Sequence, residues 1–270
     1  MTSPRQVFKE HSVTYYYASR FLPREKRKHV ENLYAFVRIP DEYVDNKRKQ
    51  PQKFYEYKQA WEQKDSQRKI IKKFSETQEK TGIKQEWIHA FFDSMEKDLK
   101  NQAYETREEL NEYIYGSAEV IGLMMCQILE IPPSLHKEAK GLGWFMQYVN
   151  MLRDLQEDVD NNLVYMPTEA LKKYGIESLE KALRKERRKV CGLLQEESKM
   201  ALQRYEEIKK GIHAIPYPLQ IAIQTAADMY VWTAKELRKD PEGSLQAKKV
   251  PSKTKVYLTG AKNTAKCYRN

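Results

Sequence analysis

Along this chain apolar residues recur at steps of three and four, the period of a helix with one buried face. The clearest case is 84–100, where Trp87, Ile88, Phe91, Phe92, Met95 and Leu99 form a single stripe and predict a core helix. No stretch alternates with period two, and no hairpin dipeptide sits between alternating runs, so the pattern predicts an all-α fold. A first helix is expected over 5–20. Pro23 is expected in the first turn of a second, which runs through Val30, Leu33, Tyr34 and Val37 to about Asp45. Pro40 lies inside that helix, and a missing main-chain donor there predicts a loosened or kinked end. Residues 52–80 are polar with sparse Tyr55, Trp61, Ile70, Ile71 and Phe74, which reads as one or two surface helices. The least charged stretch is 110–131, where Gly116, Ser117, Ala118 and Gly122 stand beside Tyr113 and Tyr115. Such small residues serve either close helix packing or the wall of an apolar cavity. Pro132 and Pro133 end it, with Ser134 as the expected cap of a helix from Leu135 through Asp158. Asp160, Asn161 and Asn162 signal a turn, 180–208 reads as one long charged helix, and Pro216 is expected to open the last long one.

Two acidic patches stand out against this helical background. In 147–167, Asp154 and Asp158 are four apart, Glu157 lies beside them, and Asn150 precedes them by one turn. Val149, Met151, Leu152, Leu155 and Val159 give the same segment a core side. In 32–46, Asp41 and Asp45 repeat the spacing, with Glu42 adjacent and Arg38 one turn earlier; Arg153 adjoins Asp154 in the same way. One such pair in a chain that is 32% charged is ordinary solvated surface. Two pairs, each with apolar flanks and an arginine, would repel strongly if brought together without a bridging cation. Mg²⁺ suits the role, since it takes one or two carboxylates plus phosphate oxygens. The residues thus point to a helical site that holds Mg²⁺ against a diphosphate.

The same segments resemble the squalene/phytoene synthase family. HSVTYYYASRFLPREKRKHVENLYAFVRIPDEYVD is similar to that family's opening pattern, YIYGSAEVIGLMM to its middle helix, QYVNMLRDLQEDVDNNLVYMP to its second acidic motif, and KVPSK to a late feature of phytoene synthases. The resemblance implies a single isoprenoid-synthase-type helical bundle around a central cavity. It also implies Mg²⁺-dependent head-to-head condensation of two prenyl diphosphates through a cyclopropylcarbinyl diphosphate. Metal ligands would be Asp41, Asp45, Asn150, Asp154 and Asp158, with Mn²⁺ as a substitute ion. His11, Ser12, Thr14, Arg38, Gln147, Asn150 and Arg153 would bind substrate, and Tyr34, Tyr115 and Tyr165 would line the reacting cavity. Phytoene from two geranylgeranyl diphosphates is the first expectation. Squalene or dehydrosqualene from two farnesyl diphosphates is the alternative, with NADPH needed only for squalene. Two positions depart from the family's pattern: Leu163 where an arginine is usual, with Lys172 as a substitute contact, and Glu119 where a glycine is usual.

Composition adds limits. A net charge of +10 suggests an anionic partner, and with no nucleic-acid-binding motif a phosphorylated substrate or anionic membrane fits better than nucleic acid. Cys126, Cys191 and Cys267 are isolated, which argues against a disulfide scaffold or zinc site and suits a reducing cytoplasm. The opening residues lack the apolar run of a secretory signal, and the longest apolar stretch, near 120–126, is too short to span a bilayer. From Gly243 on there are seven Lys or Arg and no acid. This basic tail reads either as a solvated terminus or as a surface that touches anionic lipid. A non-catalytic relative, acting in binding or assembly, is the reading of another class; eroded acidic motifs would mark it, and both pairs here are complete.

Overall fold

In a computed structural model of the chain, the described residues, 3–45 and 48–267, contain helices and no strand. The helix expected over 5–20 is two: α1 (Pro4–His11) and α2 (Val13–Ala18). Ser12 breaks it, because its backbone is extended and its Oγ accepts the Tyr15 N–H at 3.1 Å, capping α2. A 3₁₀ turn, Ser19–Phe21, leads to α3 (Arg24–Asp45). Pro23 stands just before α3 rather than in its first turn, and its carbonyl accepts the Arg27 N–H at 2.9 Å. The helix runs on through Pro40. Proline leaves the Phe36 carbonyl without its usual donor, and the Tyr57 hydroxyl of α4 (Pro51–Glu62) donates to it at 3.1 Å. The expected surface segment is thus α4 plus α5 (Lys69–Thr81), with Trp61, Ile71 and Phe74 buried and Tyr55 exposed. The predicted core stripe lies on α6 (Gln85–Leu99).

The stretch over 110–131 is not one helix. It divides into α7 (Arg107–Ile114), a wide π turn (Tyr115–Glu119) and α8 (Val120–Leu129). Facing α8 is α9 (His136–Arg153), which a 3₁₀ turn at Pro133–Leu135 precedes; Ser134 does not cap it. A Cβ on Gly122 would come within 2.5 Å of the Ala139 carbonyl oxygen, and one on Gly143 within 2.6 Å of the Ala118 carbonyl oxygen. These two glycines therefore let the helices cross almost backbone to backbone. The second acidic segment also breaks once. Asp154 leaves helical geometry at φ −97° and ψ 4°, and α10 (Leu155–Asp160) resumes after it. The Asp158 N–H still bonds the Asp154 carbonyl at 2.8 Å, so the four-residue relation survives the break.

After the turn at Asn162, where φ is 64°, come α11 (Thr168–Lys173), α12 (Leu179–Lys185) and α13 (Arg187–His213). Glu186 interrupts the long helix expected over 180–208. Then α14 (Leu219–Lys239) starts after Pro218 rather than at Pro216, and α15 (Pro241–Gln246) and α16 (Lys253–Cys267) follow. The tail is folded through Cys267; of its seven basic residues only Arg269 lies outside the described residues. On α16, Val256 is fully buried and Asn263 donates to Asp228 at 2.9 Å, against α14.

The large hydrophobic cluster surrounds α9, which packs against α8, α13, α14 and the π turn. One ionic network also clamps α9. Glu197 on α13 is 2% exposed and accepts from Arg107 on α7 at 2.5 and 2.9 Å, and from the Tyr148 hydroxyl on α9 at 2.6 Å. These bonds fix the helix that carries half of the acidic site.

Candidate active site

Three elements converge on a polar cavity of about 370 Å³. From α3 come Tyr34, Arg38, Asp41 and Asp45; from α9 and α10 come Gln147, Asn150, Arg153, Asp154 and Asp158. The break at Ser12 brings His11, Ser12 and Thr14 to the same wall, and Tyr165 completes it. A second cavity, of about 310 Å³, is apolar, with Phe8, Leu33, Val37, Ile121, Leu142 and Ile223 in its lining. Tyr15, Tyr34, Gln147 and Asn150 belong to both walls, so the two cavities meet. Along α9 the apolar lining extends from Asn150 to Glu138. At 1.5 Å per residue that is roughly 18 Å of helix, which makes α9 a ruler for the depth of the cavity.

The two acidic pairs face each other, and their ionisation reflects it. Burial raises Asp45 well above the usual carboxylate range, and the charges of Asp41, Asp98 and Asp158 add to the effect. Burial likewise pushes Asp158 up to about 8, assisted by Asp154 and Glu157. Neither Asp45 nor Asp158 has an ion-pair partner among the described residues. Their neighbours are engaged. Arg38 pairs with Asp41 and holds its Nε 3.4 Å from Glu42, while Glu42 also lies 2.8 Å from His11 Nδ1. Asp41 is raised by burial despite Arg38, and its side chain keeps 29% exposure, so it is recessed in the cavity rather than sealed. Arg153 forks onto Asp154 at 2.8 and 2.6 Å. Burial opposes the Arg153 charge, but Asp154 outweighs it and the arginine pKa is raised.

Other residues of the site could not be assigned from sequence. Lys248, from the segment between α15 and α16, lies 3.0 Å from Asp154 and pairs with Glu157. It supplies the cation beside the second acidic motif that Leu163 lacks, because Leu163 is buried and Lys172 is exposed outside the cavity. Asp98, at the end of α6, is 2% exposed and accepts from the Tyr113 hydroxyl at 2.8 Å and the Tyr165 hydroxyl at 3.1 Å. Burial pushes Asp98 up to about 7 against the pull of those two bonds. Tyr113 lines the polar cavity, and Tyr115, expected there, does not. Two residues on a helix point to opposite sides. Tyr115 is therefore 38% exposed, with the Lys140 ammonium 5.5 Å from its ring. Glu119 is paired with Lys140 at 3.6 Å and lines neither cavity, so it leaves the apolar wall unperturbed. Tyr15 and Tyr230 stack at 5.6 Å beside the junction of the cavities.

The donor set fits Mg²⁺. All of it is hard oxygen, and the charges of the facing carboxylates oppose one another's ionisation. Asn150 adds a buried Oδ1 that has no hydrogen-bond donor. Among the described residues no three acidic, His or Cys side chains are gathered tightly enough to cage an ion. Mg²⁺ needs no such cage, because substrate phosphates and water complete its shell. A pH dependence follows. Asp98 and Asp158 hold protons in the folded chain to about pH 7 and 8, well above their unfolded range. Between about pH 4 and 8 the folded state therefore binds more protons, and stability falls as pH rises. Thermal melts of metal-free protein should show a lower Tm at pH 8 than at pH 6, and Mg²⁺ with inorganic diphosphate should recover it at pH 8. A Tm that climbs from pH 6 to 8 would count against the facing carboxylates.

The all-α fold is the isoprenoid-synthase architecture, and solved structures share it. A dehydrosqualene synthase in complex with ligand superimposes with a TM-score of 0.86 at 24% identity, covering 99% of this chain and 96% of that one. The squalene synthase HpnC from Alicyclobacillus acidocaldarius does so with a TM-score of 0.76 at 18% identity, over 88% and 92%. The squalene/phytoene synthase family model matches residues 8–256, and the chain belongs to that family. A 4,4'-diapophytoene synthase of Staphylococcus haemolyticus is 28% identical over 63% of this chain. A phytoene synthase of Thermus thermophilus is 30% identical over 64%, and the chloroplastic phytoene synthase of Daucus carota 26% over 94%. These matches span 63%, 61% and 65% of the relatives' own lengths.

Proposed function

We propose that this chain is a prenyltransferase that joins two allylic prenyl diphosphates head to head, through a cyclopropylcarbinyl diphosphate, in carotenoid biosynthesis. The observation that carries the reading is the meeting of the acidic and apolar cavities through Tyr15, Tyr34, Gln147 and Asn150. A prenyl diphosphate has the same two parts, a multiply charged head and a long hydrocarbon tail. Asp41, Asp45, Asn150, Asp154 and Asp158 would hold Mg²⁺, or Mn²⁺ in its place, and the bound ion would neutralise the diphosphate so that it can leave. Arg38 and Arg153, which pair with Asp41 and Asp154, would offer guanidinium forks to the phosphate oxygens of a bound diphosphate. The rings of Tyr34, Tyr113 and Tyr165 offer their negative faces to an allylic cation. Tyr113 and Tyr165 donate their hydroxyl protons to Asp98, which fixes both rings at the wall of the cavity. The apolar wall excludes the water that would otherwise quench the cation.

Two geranylgeranyl diphosphates, giving phytoene, are the favoured substrates. The relatives from Thermus thermophilus and Daucus carota are named phytoene synthases, and the lining along α9 is long. The Staphylococcus haemolyticus relative, a diapophytoene synthase, supports a second reading with two farnesyl diphosphates. Incubation of purified protein and Mg²⁺ with each diphosphate, with and without NADPH, tests both. A C40 hydrocarbon from the longer substrate is the expected product. A C30 product moves the assignment to dehydrosqualene or, if NADPH is required, to squalene. No hydrocarbon from folded protein would leave a binding or assembly role. Either product is a water-insoluble lipid, so delivery to a membrane belongs to this reading.

A further inference from the structure

Helix α16 has three sides where an ordinary surface helix has two. Its inner side, Val256, Gly260 and Asn263, is buried against α14 and α2. Its outer side should then be polar. Instead Leu258, Ala261 and Ala265 follow one another at three- and four-residue steps and are exposed, with Tyr257 at their edge. Leu258 is 67% exposed and Tyr257 43%. The third side is basic: Lys262 and Lys266 flank the apolar stripe and are exposed, and Lys255, seven residues before Lys262, is half-buried with its ammonium 4.6 Å from the Trp232 ring. None of the three has a carboxylate partner among the described residues, and no acid occurs from Gly243 on.

We infer that α16 docks this protein on an anionic lipid bilayer, with the Leu258 stripe at the headgroup–acyl boundary and Lys262 and Lys266 against lipid phosphates. A folded helix with an outward apolar stripe and a lysine flank has the pattern of an interfacial anchor. The charge selects the partner. A second copy of this chain also carries +10 and would set the same lysines against each other. An anionic surface attracts them instead. Position adds a reason for the contact. The inner side of α16 packs Val256 with Ala18 and Ala226, and both of these line the apolar cavity. The membrane face is thus one helix away from the space assigned to the hydrocarbon chain. The purpose of docking rests on the proposed reaction, but the docking itself does not.

The test is co-sedimentation of the full chain with vesicles of phosphatidylcholine alone or mixed with phosphatidylglycerol. Binding is expected to the mixed vesicles and should weaken as salt is raised. Lys262→Glu with Lys266→Glu should weaken it at least about 25-fold, since each lysine near an anionic surface contributes roughly fivefold. Leu258→Ser should cost about tenfold with every charge retained. All three positions are exposed, so melting curves should stay at the wild-type value and separate lost docking from lost folding. Equal binding to neutral vesicles, variants that bind like wild type, or no binding at low salt would each overturn the inference. So would a dimer that Leu258→Ser dissolves in a protein that ignores vesicles. Vesicle binding without any product would count against the proposed reaction and not this face; product in neutral detergent without vesicle binding would do the reverse.

Discussion

Asp158→Asn is expected to lower turnover by a factor on the order of 10³ or more, about 4 kcal/mol of barrier, and to leave the fold intact. Asp158 faces the opposite acidic pair, has no ion-pair partner among the described residues, and is held protonated by burial up to about pH 8. An asparagine has the shape of that protonated acid, so metal-free protein should tolerate it. It lacks the negative charge that a divalent ion would draw out, so binding of diphosphate with Mg²⁺ should fail. Far-UV spectra and Tm should match or exceed wild type at pH 8, where relief of repulsion stabilises. Steady-state turnover of the variant is the measurement, and a rate near wild type would show that Asp158 is not a metal ligand. Asp154→Asn is a less clean experiment, because Asp154 also anchors Arg153 and Lys248.

Glu197→Ala is expected to destabilise by about 3 kcal/mol, the cost of breaking a buried ion pair from one side. It would leave the Arg107 guanidinium and the Tyr148 hydroxyl without their shared acceptor inside the bundle. For a chain of this size Tm should fall by roughly 6–12 °C. Arg107 is partly solvated, which keeps the effect from being larger. Glu180→Ala is the control. Its i,i+4 pair with Arg184 is exposed on both sides, so its loss should change stability by about 0.5 kcal/mol or less. Equal denaturation midpoints for the two variants would show that the Glu197 network does not hold α9. Because α9 carries Asn150 and leads into Asp154, residual folded Glu197→Ala should also bind diphosphate more weakly.

The fold class and much of the acidic site were legible in the sequence, for a local reason. A three-to-four residue period reports which side of a helix is buried, and a four-residue spacing reports which carboxylates share that side. That spacing pairs Asp41 with Asp45 and Asp154 with Asp158, and even the break at Asp154 left it in effect; the meeting of the two pairs in one cavity came from the fold. Helix ends were less legible. Ser12 and Glu186 each divide a helix that periodicity alone would continue, because a single cap or a local turn decides the matter.

What only the tertiary structure decided was which distant side chains complete the site. Asp98 is an acid at the end of an apolar helix in the sequence; in the fold it holds the hydroxyls of Tyr113 and Tyr165. The choice of Tyr113 over Tyr115 depends on which way α7 faces, and a tyrosine pattern two residues apart fits either. Lys248 belongs to a tail whose composition reads equally as solvent or membrane surface, and packing of α16 places it on Asp154 and Glu157. Sequence spacing fixes neighbours within a few residues because the helix repeat is rigid. Contacts between residues far apart in the chain depend on how whole helices pack, and no local pattern encodes that.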